Sequence, residues 1–204
     1  MPLPPARVVL ATHNRDKIRE IQEALRALPV TILSLDDFPD LPEVAEDGDT
    51  LEENARKKAV TLHHHTGLPA LADDTGLFVA ALGGRPGVYS SRYAGPGASY
   101  QDNVCKLLAE MQAVPPERRN ARFRTVMAFT DGNTVHFVEG SCDGHLALAP
   151  RGEGGFGYDS IFIVAGSERT FAEMSLREKN AVSHRGRALA AARQLLKRYF
   201  RVED

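Results

Sequence analysis

The chain has 204 residues, is 43% hydrophobic and 25% charged, and carries a formal net charge of -2. That length suits one large domain or two small lobes with an ordinary globular core. The charge balance disfavours wholesale capture of a nucleic-acid backbone, yet leaves room for a small anionic ligand held by local positive charge. Two cysteines outside any CxxC pattern, Cys105 and Cys142, argue against a zinc site or a disulfide framework. They point to a reducing, cytoplasmic compartment. No apolar run approaches the roughly 20 residues of a membrane span, and the opening residues lack an apolar signal core.

In chain order, Arg7 to Ala11 reads as a buried strand, Thr12-His13-Asn14 as a loop, and Asp16 to Leu28 as an amphipathic helix. Ile18, Ile21, Leu25 and Leu28 share the inner face of that helix, with Asn14 or Asp16 as its cap. In an open α/β sheet, ligands bind beyond the carboxyl ends of strands, where such a loop sits. The loop can turn backbone N–H groups and a helix N-terminus toward phosphate, with Lys17 adding a full charge. The plainer alternative is a cap and a surface lysine. Val30 to Leu35 reads as a second strand, and the acidic, proline-containing stretch Asp36 to Asp49 as a loop. Thr50 and Glu53 form a capping-box pattern that starts a helix to about His65, with Ala55, Ala59 and Leu62 inward.

Ala70 to Ala72 is read as a short strand that ends in Asp73 and Asp74. Adjacent carboxylates beside apolar residues call for something positive, and a divalent cation with oxygen ligands is the natural partner. Asp74 is then a metal ligand or a base that activates water. Asp-Asp-Thr-Gly is also good turn chemistry. Leu77 to Leu82 continues the structured region, Gly83 to Gly87 breaks it, and Tyr100 to Met111 reads as a helix with Cys105 in its core face. Ala121 to Thr130 alternates as a half-exposed strand, Asp131-Gly132 signals a hairpin, and Thr134 to Glu139 returns. Gly144 to Ala149 and Ile161 to Val164 are further strands, and Ser183 starts a final helix to about Phe200.

Three further features bear on chemistry. The loop GEGGFGYDS sets glycines around Phe156 and Tyr158, so a backbone can approach a ligand and a ring can stack on a base. A mobile loop with an anchoring Phe is the alternative. Lys179, His184 and Arg185 lie near a helix start and can reach anionic or carbonyl oxygens. A capped surface helix with solvated charges is the other reading. His63-His64-His65 point in different directions on a helix and read as a polar helix end. There is no Walker A loop and no GxSxG elbow.

The segments VVLATHNRDKIREI, EDGDTLEENARKKA, LADDTGLFVAALGGRPGVYSSRYAG, GEGGFGYDS and REKNAVSHRGRAL, taken in order, resemble the inosine triphosphate pyrophosphatase family. The likeness covers almost the whole chain. It implies an α/β fold with an elongated mixed central sheet flanked by helices, in two lobes with the active-site cleft between them. It also implies that residues 1–204 form a single nucleoside triphosphate pyrophosphatase domain, in most members a homodimer. The implied reaction is Mg²⁺-dependent hydrolysis of ITP, dITP and XTP to the monophosphate and pyrophosphate. By the same resemblance Thr12, His13, Asn14, Arg15, Asp16 and Lys17 match the substrate loop, and Lys58 a lysine near the phosphates. Asp74 matches the proton acceptor and Mg²⁺ ligand, Glu46 a second acidic metal-site residue, and Thr75 a substrate contact. Phe156, Gly157, Tyr158 and Asp159 match the base-binding loop, and Lys179, His184 and Arg185 the base and phosphate contacts.

Two departures stand out. His13 takes a position where many relatives have a small residue. Ala45 precedes Glu46 where some have a second acid, which leaves Glu43 as a rival metal ligand. Competing expectations are a Maf-like pyrimidine nucleotide pyrophosphatase, a nucleotide-binding regulator without turnover, and a nucleic-acid-binding module. The regulator would not need Asp74, and the nucleic-acid module is disfavoured by the net charge of -2. No stable nucleic-acid or membrane partner is expected.

Overall fold

The computed structural model describes residues 6–41 and 44–202. The elements are β1 (Ala6–Leu10), α1 (Arg15–Leu25), β2 (Val30–Leu33), α2 (Leu51–Thr66), β3 (Ala70–Val79), β4 (Pro86–Gly87), α3 (Tyr100–Glu110), β5 (Asn120–Thr130), β6 (Val135–Leu146), β7 (Phe162–Val164), α4 (Leu176–Val182) and α5 (His184–Phe200). The strands form one sheet in the order β2-β1-β3-β5-β6-β7, with β4 added beside β3. β1 is parallel to β2 and β3, whereas β3–β4 and β6–β7 are antiparallel. The expected mixed sheet follows from the connections, since helical crossovers join parallel strands and loops without a crossover helix join antiparallel ones.

The chain forms two compact units. One is built from Met1–Asp74, Thr125–Glu139 and Ala188–Asp204, the other from Thr75–Arg124 and Gly140–Arg187. Each has its own core. In the first, Val8, Leu10, Ile21, Leu25, Met127 and Phe129 pack with Leu189 and Leu196. In the second, Leu77, Leu107, Phe123, Ile161, Phe162 and Phe171 do so.

Local signals explain the helices. Asn14 caps α1, accepting from the N–H groups of Asp16 and Lys17. Thr50 and Glu53 close the expected capping box on α2, and Gly67 ends that helix in the left-handed conformation with φ of 67°. Cys105 is exposed, contrary to the expectation that it lies in the core, because α3 turns Val104 and Leu107 inward and the next position faces out.

Several boundaries differ from the sequence reading. The second strand stops at Leu33, and residues Leu35–Asp37 form a 3-10 turn instead. The strand carrying the acidic pair does not end there. β3 runs from Ala70 through Asp73 and Asp74 to Val79, with both carboxylates buried in mid-strand. The two strands expected at 134–139 and 144–149 are one long strand, β6. α4 was not expected. Its start has a readable signal, Ser175 and Glu178 in a capping box, but the helix is too short to show an apolar period.

One buried cation fixes the second unit. The Arg119 guanidinium donates to the carbonyls of Met111 and Val114 after α3 and of Leu146 and Ala147 at the end of β6, at 2.9–3.3 Å. Met111 and Val114 follow a helix C-terminus, where carbonyls lack intrahelical donors.

Candidate active site

The first cluster lies wholly in the first unit. Asn14 Oδ1 accepts from the backbone N–H of Asp16 at 3.0 Å and of Lys17 at 3.1 Å, while Asn14 N–H donates to Thr12 Oγ1 at 3.1 Å. This cap orients the first turn of α1, and from it the Lys17 ammonium reaches Asp73 Oδ2 at 3.0 Å. His13 and Arg15 are exposed, and Asp16 pairs with Arg19 at 3.6 Å.

Successive residues of a strand point to opposite faces, so Asp73 and Asp74 are served from different sides. Lys58, buried on α2, donates to Asp74 Oδ1 at 3.1 Å, to the Asp73 carbonyl at 2.5 Å and to Glu46 Oε1 at 2.7 Å. Burial lowers the pKa of Lys58, but the charges of Asp74, Glu46 and Asp73 outweigh it and hold the pKa above the ordinary lysine value. Asp74 is also raised, but here burial prevails: it lifts the carboxyl above the usual range, and Lys58 and Lys17 only partly offset that. A carboxylate with a raised pKa is a better proton acceptor.

Glu46 and Asp74 each place an oxygen within 3.1 Å of one ammonium, so the two carboxylates converge. Among the described residues no group of three or more His, Cys, Asp or Glu is arranged to hold a metal ion. A pair of carboxylates nevertheless fits Mg²⁺, which binds through one or two carboxylates and takes its other ligands from water and substrate phosphates. Glu43, the rival ligand, lies outside the described residues.

The second cluster lies wholly in the second unit. The glycine-rich loop folds on Asp159, whose Oδ2 accepts from Phe156 N–H at 2.9 Å and from Lys179 Nζ at 2.6 Å. A Cβ on Gly155 would collide with that carboxylate, so the loop needs glycine there. Gly157 adopts a φ of 61° and Phe156 is half-buried. The Lys179 ammonium sits 4.6 Å from the Phe156 ring centre and the Arg185 guanidinium 5.3 Å from it. Arg185 also donates to Thr75 Oγ1 at 3.1 Å. His184 opens α5 and stacks on Phe123, with ring centres 4.3 Å apart and planes within 13°. Tyr158 is buried, and its hydroxyl donates to the Ser90 carbonyl at 2.9 Å, which anchors the loop.

The expected residues thus fall into two groups, an acid–lysine cluster and an aromatic–cation cluster. Sequence reasoning missed Asn54, which donates to Asp74 Oδ2 at 3.2 Å, and Phe123 and Phe171, the rings around His184. Asn54 had a signal, since it lies four residues before Lys58 on one helix face. Phe123 and Phe171 had none, because their approach to His184 is made by the fold.

The sequence profile of the Ham1 family matches residues 8–195. A dITP/XTP pyrophosphatase of Geobacter sulfurreducens is 55% identical over 185 residues, 90% of this chain and 93% of that one. A dITP/XTP pyrophosphatase of Desulforamulus reducens is 46% identical over 195 residues, 95% of this chain and 97% of that one. Among solved structures, a HAM1 protein from Coxiella burnetii superposes with a TM-score of 0.87 at 42% identity, covering 95% of this chain and 99% of that one. The chain belongs to the Ham1 family.

Proposed function

We propose that this protein hydrolyses the non-standard purine nucleoside triphosphates dITP, XTP and ITP to the nucleoside monophosphate and pyrophosphate, clearing them from the nucleotide pool. The observation that carries the reading is the buried junction of Asp74, Lys58 and Glu46, in a chain 55% identical to a dITP/XTP pyrophosphatase. In this reading water adds across the α–β phosphoanhydride, and Asp74 takes its proton. Lys17 and Lys58 stabilise the charge that grows on the phosphate oxygens. Glu46 and Asp74 hold Mg²⁺, which when bound supplies charge neutralisation on the leaving pyrophosphate and orients the water. Thr12 to Lys17 form the phosphate loop, and Thr75 contacts substrate.

Base recognition is assigned to the second unit. Phe156 supplies the stacking face, in the loop that Gly157, Tyr158 and Asp159 shape. Lys179, His184 and Arg185 supply donors. Hypoxanthine and xanthine carry a 6-oxo acceptor where adenine carries a 6-amino donor. A buried donor aimed there leaves the adenine pairing unmade, at about 1–3 kcal/mol. Guanine shares the 6-oxo group, so its 2-amino group must be the feature rejected. We assign residues 1–204 to one catalytic domain that works as a cytoplasmic homodimer.

The test is pyrophosphate release from dITP, XTP and ITP beside dATP, dGTP, dTTP and UTP, with and without Mg²⁺. Mg²⁺-dependent release confined to the first three is the expected result. Preference for dTTP or UTP would favour a Maf-like enzyme, and binding without release would favour a regulator.

A further inference from the structure

Asn54 sits one helical turn before Lys58 on α2 and is 1% exposed. Its amide makes two contacts at once. Oδ1 accepts from the backbone N–H of Gly48 at 2.8 Å, and Nδ2 donates to Asp74 Oδ2 at 3.2 Å. The first contact fixes the second: a backbone N–H can meet only the amide oxygen, so the NH₂ group must face the carboxylate. Asp74 is therefore held at both oxygens, Oδ1 by Lys58 and Oδ2 by Asn54. Gly48 stands two residues after Glu46 in the loop that precedes α2. A Cβ on Gly48 would lie 2.8 Å from both Asn54 Oδ1 and Glu53 Cβ, so the loop reaches this distance only with glycine there. Other residue types do not reproduce the bridge. Aspartate turns an acceptor toward Asp74, alanine loses both contacts, and glutamine adds a methylene to a filled space.

We propose that Asn54 is a positioning residue for a divalent cation held by Glu46 and Asp74. One amide sets the rotation of the Asp74 carboxylate and the seat of the segment that carries Glu46. The inference rests on the cation role given to these carboxylates under the proposed function.

Two readouts test it. One is Mn²⁺ binding to the nucleotide-free protein, followed by the electron paramagnetic resonance signal of free Mn²⁺. The other is the Mg²⁺ concentration giving half-maximal pyrophosphate release from dITP. Asn54→Ala and the near-isosteric Asn54→Leu should weaken Mn²⁺ binding and raise the Mg²⁺ requirement by about 10–100-fold, the usual effect of losing a group that orients a metal ligand. Gly48→Ala should move both readouts the same way without altering a side-chain donor. Leu62→Ala empties a core position on the same helix and serves as the stability control. It should lower the melting temperature and leave both cation readouts at wild-type values. Wild-type cation readouts in the Asn54 variants, or equal cation loss in Leu62→Ala, would overturn the proposal. If wild type and Asp74→Asn bind Mn²⁺ equally, the cation role itself falls, and this proposal with it. That failure is recognisable because it appears before any Asn54 variant is measured.

Discussion

In the first unit, lysines meet carboxylates: half-buried Lys17 faces Asp73, and buried Lys58 faces Glu46 and Asp74. In the second, Lys179 and Arg185 lie over the ring of Phe156, with Asp159 as the carboxylate beside Lys179. The difference matches the ligands each would serve. Breaking a buried ion pair costs about 3–5 kcal/mol, so the Lys58 ammonium is held fast between Glu46 and Asp74, and the half-buried Lys17 is aimed at Asp73. Lys179 is locked in the same way, by a buried ion pair with Asp159, but the Arg185 guanidinium lies over the Phe156 ring, a contact worth about 0.5–2 kcal/mol that a planar base can replace while leaving the donor near its edge. Phosphate chemistry needs a fixed charge array, and base selection needs donors that can be re-aimed.

Variants can break or sharpen this contrast. The largest effect is expected for Asp74→Asn, which should lower kcat for dITP, XTP and ITP alike by about 10²–10⁴-fold. A drop confined to one base would place Asp74 in recognition. Lys58→Met should destabilise the fold by about 3–5 kcal/mol in urea unfolding, because it leaves buried carboxylates uncompensated. An unchanged midpoint would mean that Asp74 is protonated in the folded protein.

Arg185→Ala should act on choice more than on rate. The ratio of kcat/KM for ITP over ATP should fall by about 5–150-fold, the equivalent of 1–3 kcal/mol, with slow release from ATP little changed. An unchanged ratio would remove Arg185 from base selection. The smallest effect concerns α4, which carries Lys179. The hydrogen bond from Arg169, then those from Ser175, hold the Glu178 carboxyl down at about 2, against an ordinary value of 4.5. Because the folded value is depressed, its stabilisation is complete above pH 4.5 and is lost as pH falls through about 2. The amide-exchange protection factors at Arg177 and Glu178 should fall over that window, while those of α2 around Lys58 should not follow the same curve.

Much of both regions was legible beforehand, for reasons that differ. The capping box of Thr50 and Glu53 and the apolar positions Ala55, Ala59 and Leu62 are local signals, and they placed α2; Lys58 was singled out only by the family resemblance. The Asp73–Asp74 pair was recognised but misplaced at a strand end, because polar residues read as a boundary when their partners are distant in sequence. Lys17 and Lys58 each pair with one of the two carboxylates, so the strand runs on. The bridge through Asn54 and the stack of His184 on Phe123 depend on approaches that only the folded chain creates. No periodicity encodes them.

Arg119 carries a consequence of another kind. Its charge is neutralised by backbone dipoles, which neither titrate nor dissolve into a counterion atmosphere. Surface pairs such as Arg122 with Asp143 weaken as salt screens them or as acid protonates the carboxylate. The seam between the end of α3 and the end of β6 is spared both fates. It should therefore persist in brine or mild acid, and it offers an anchor for engineering this scaffold toward harsh media.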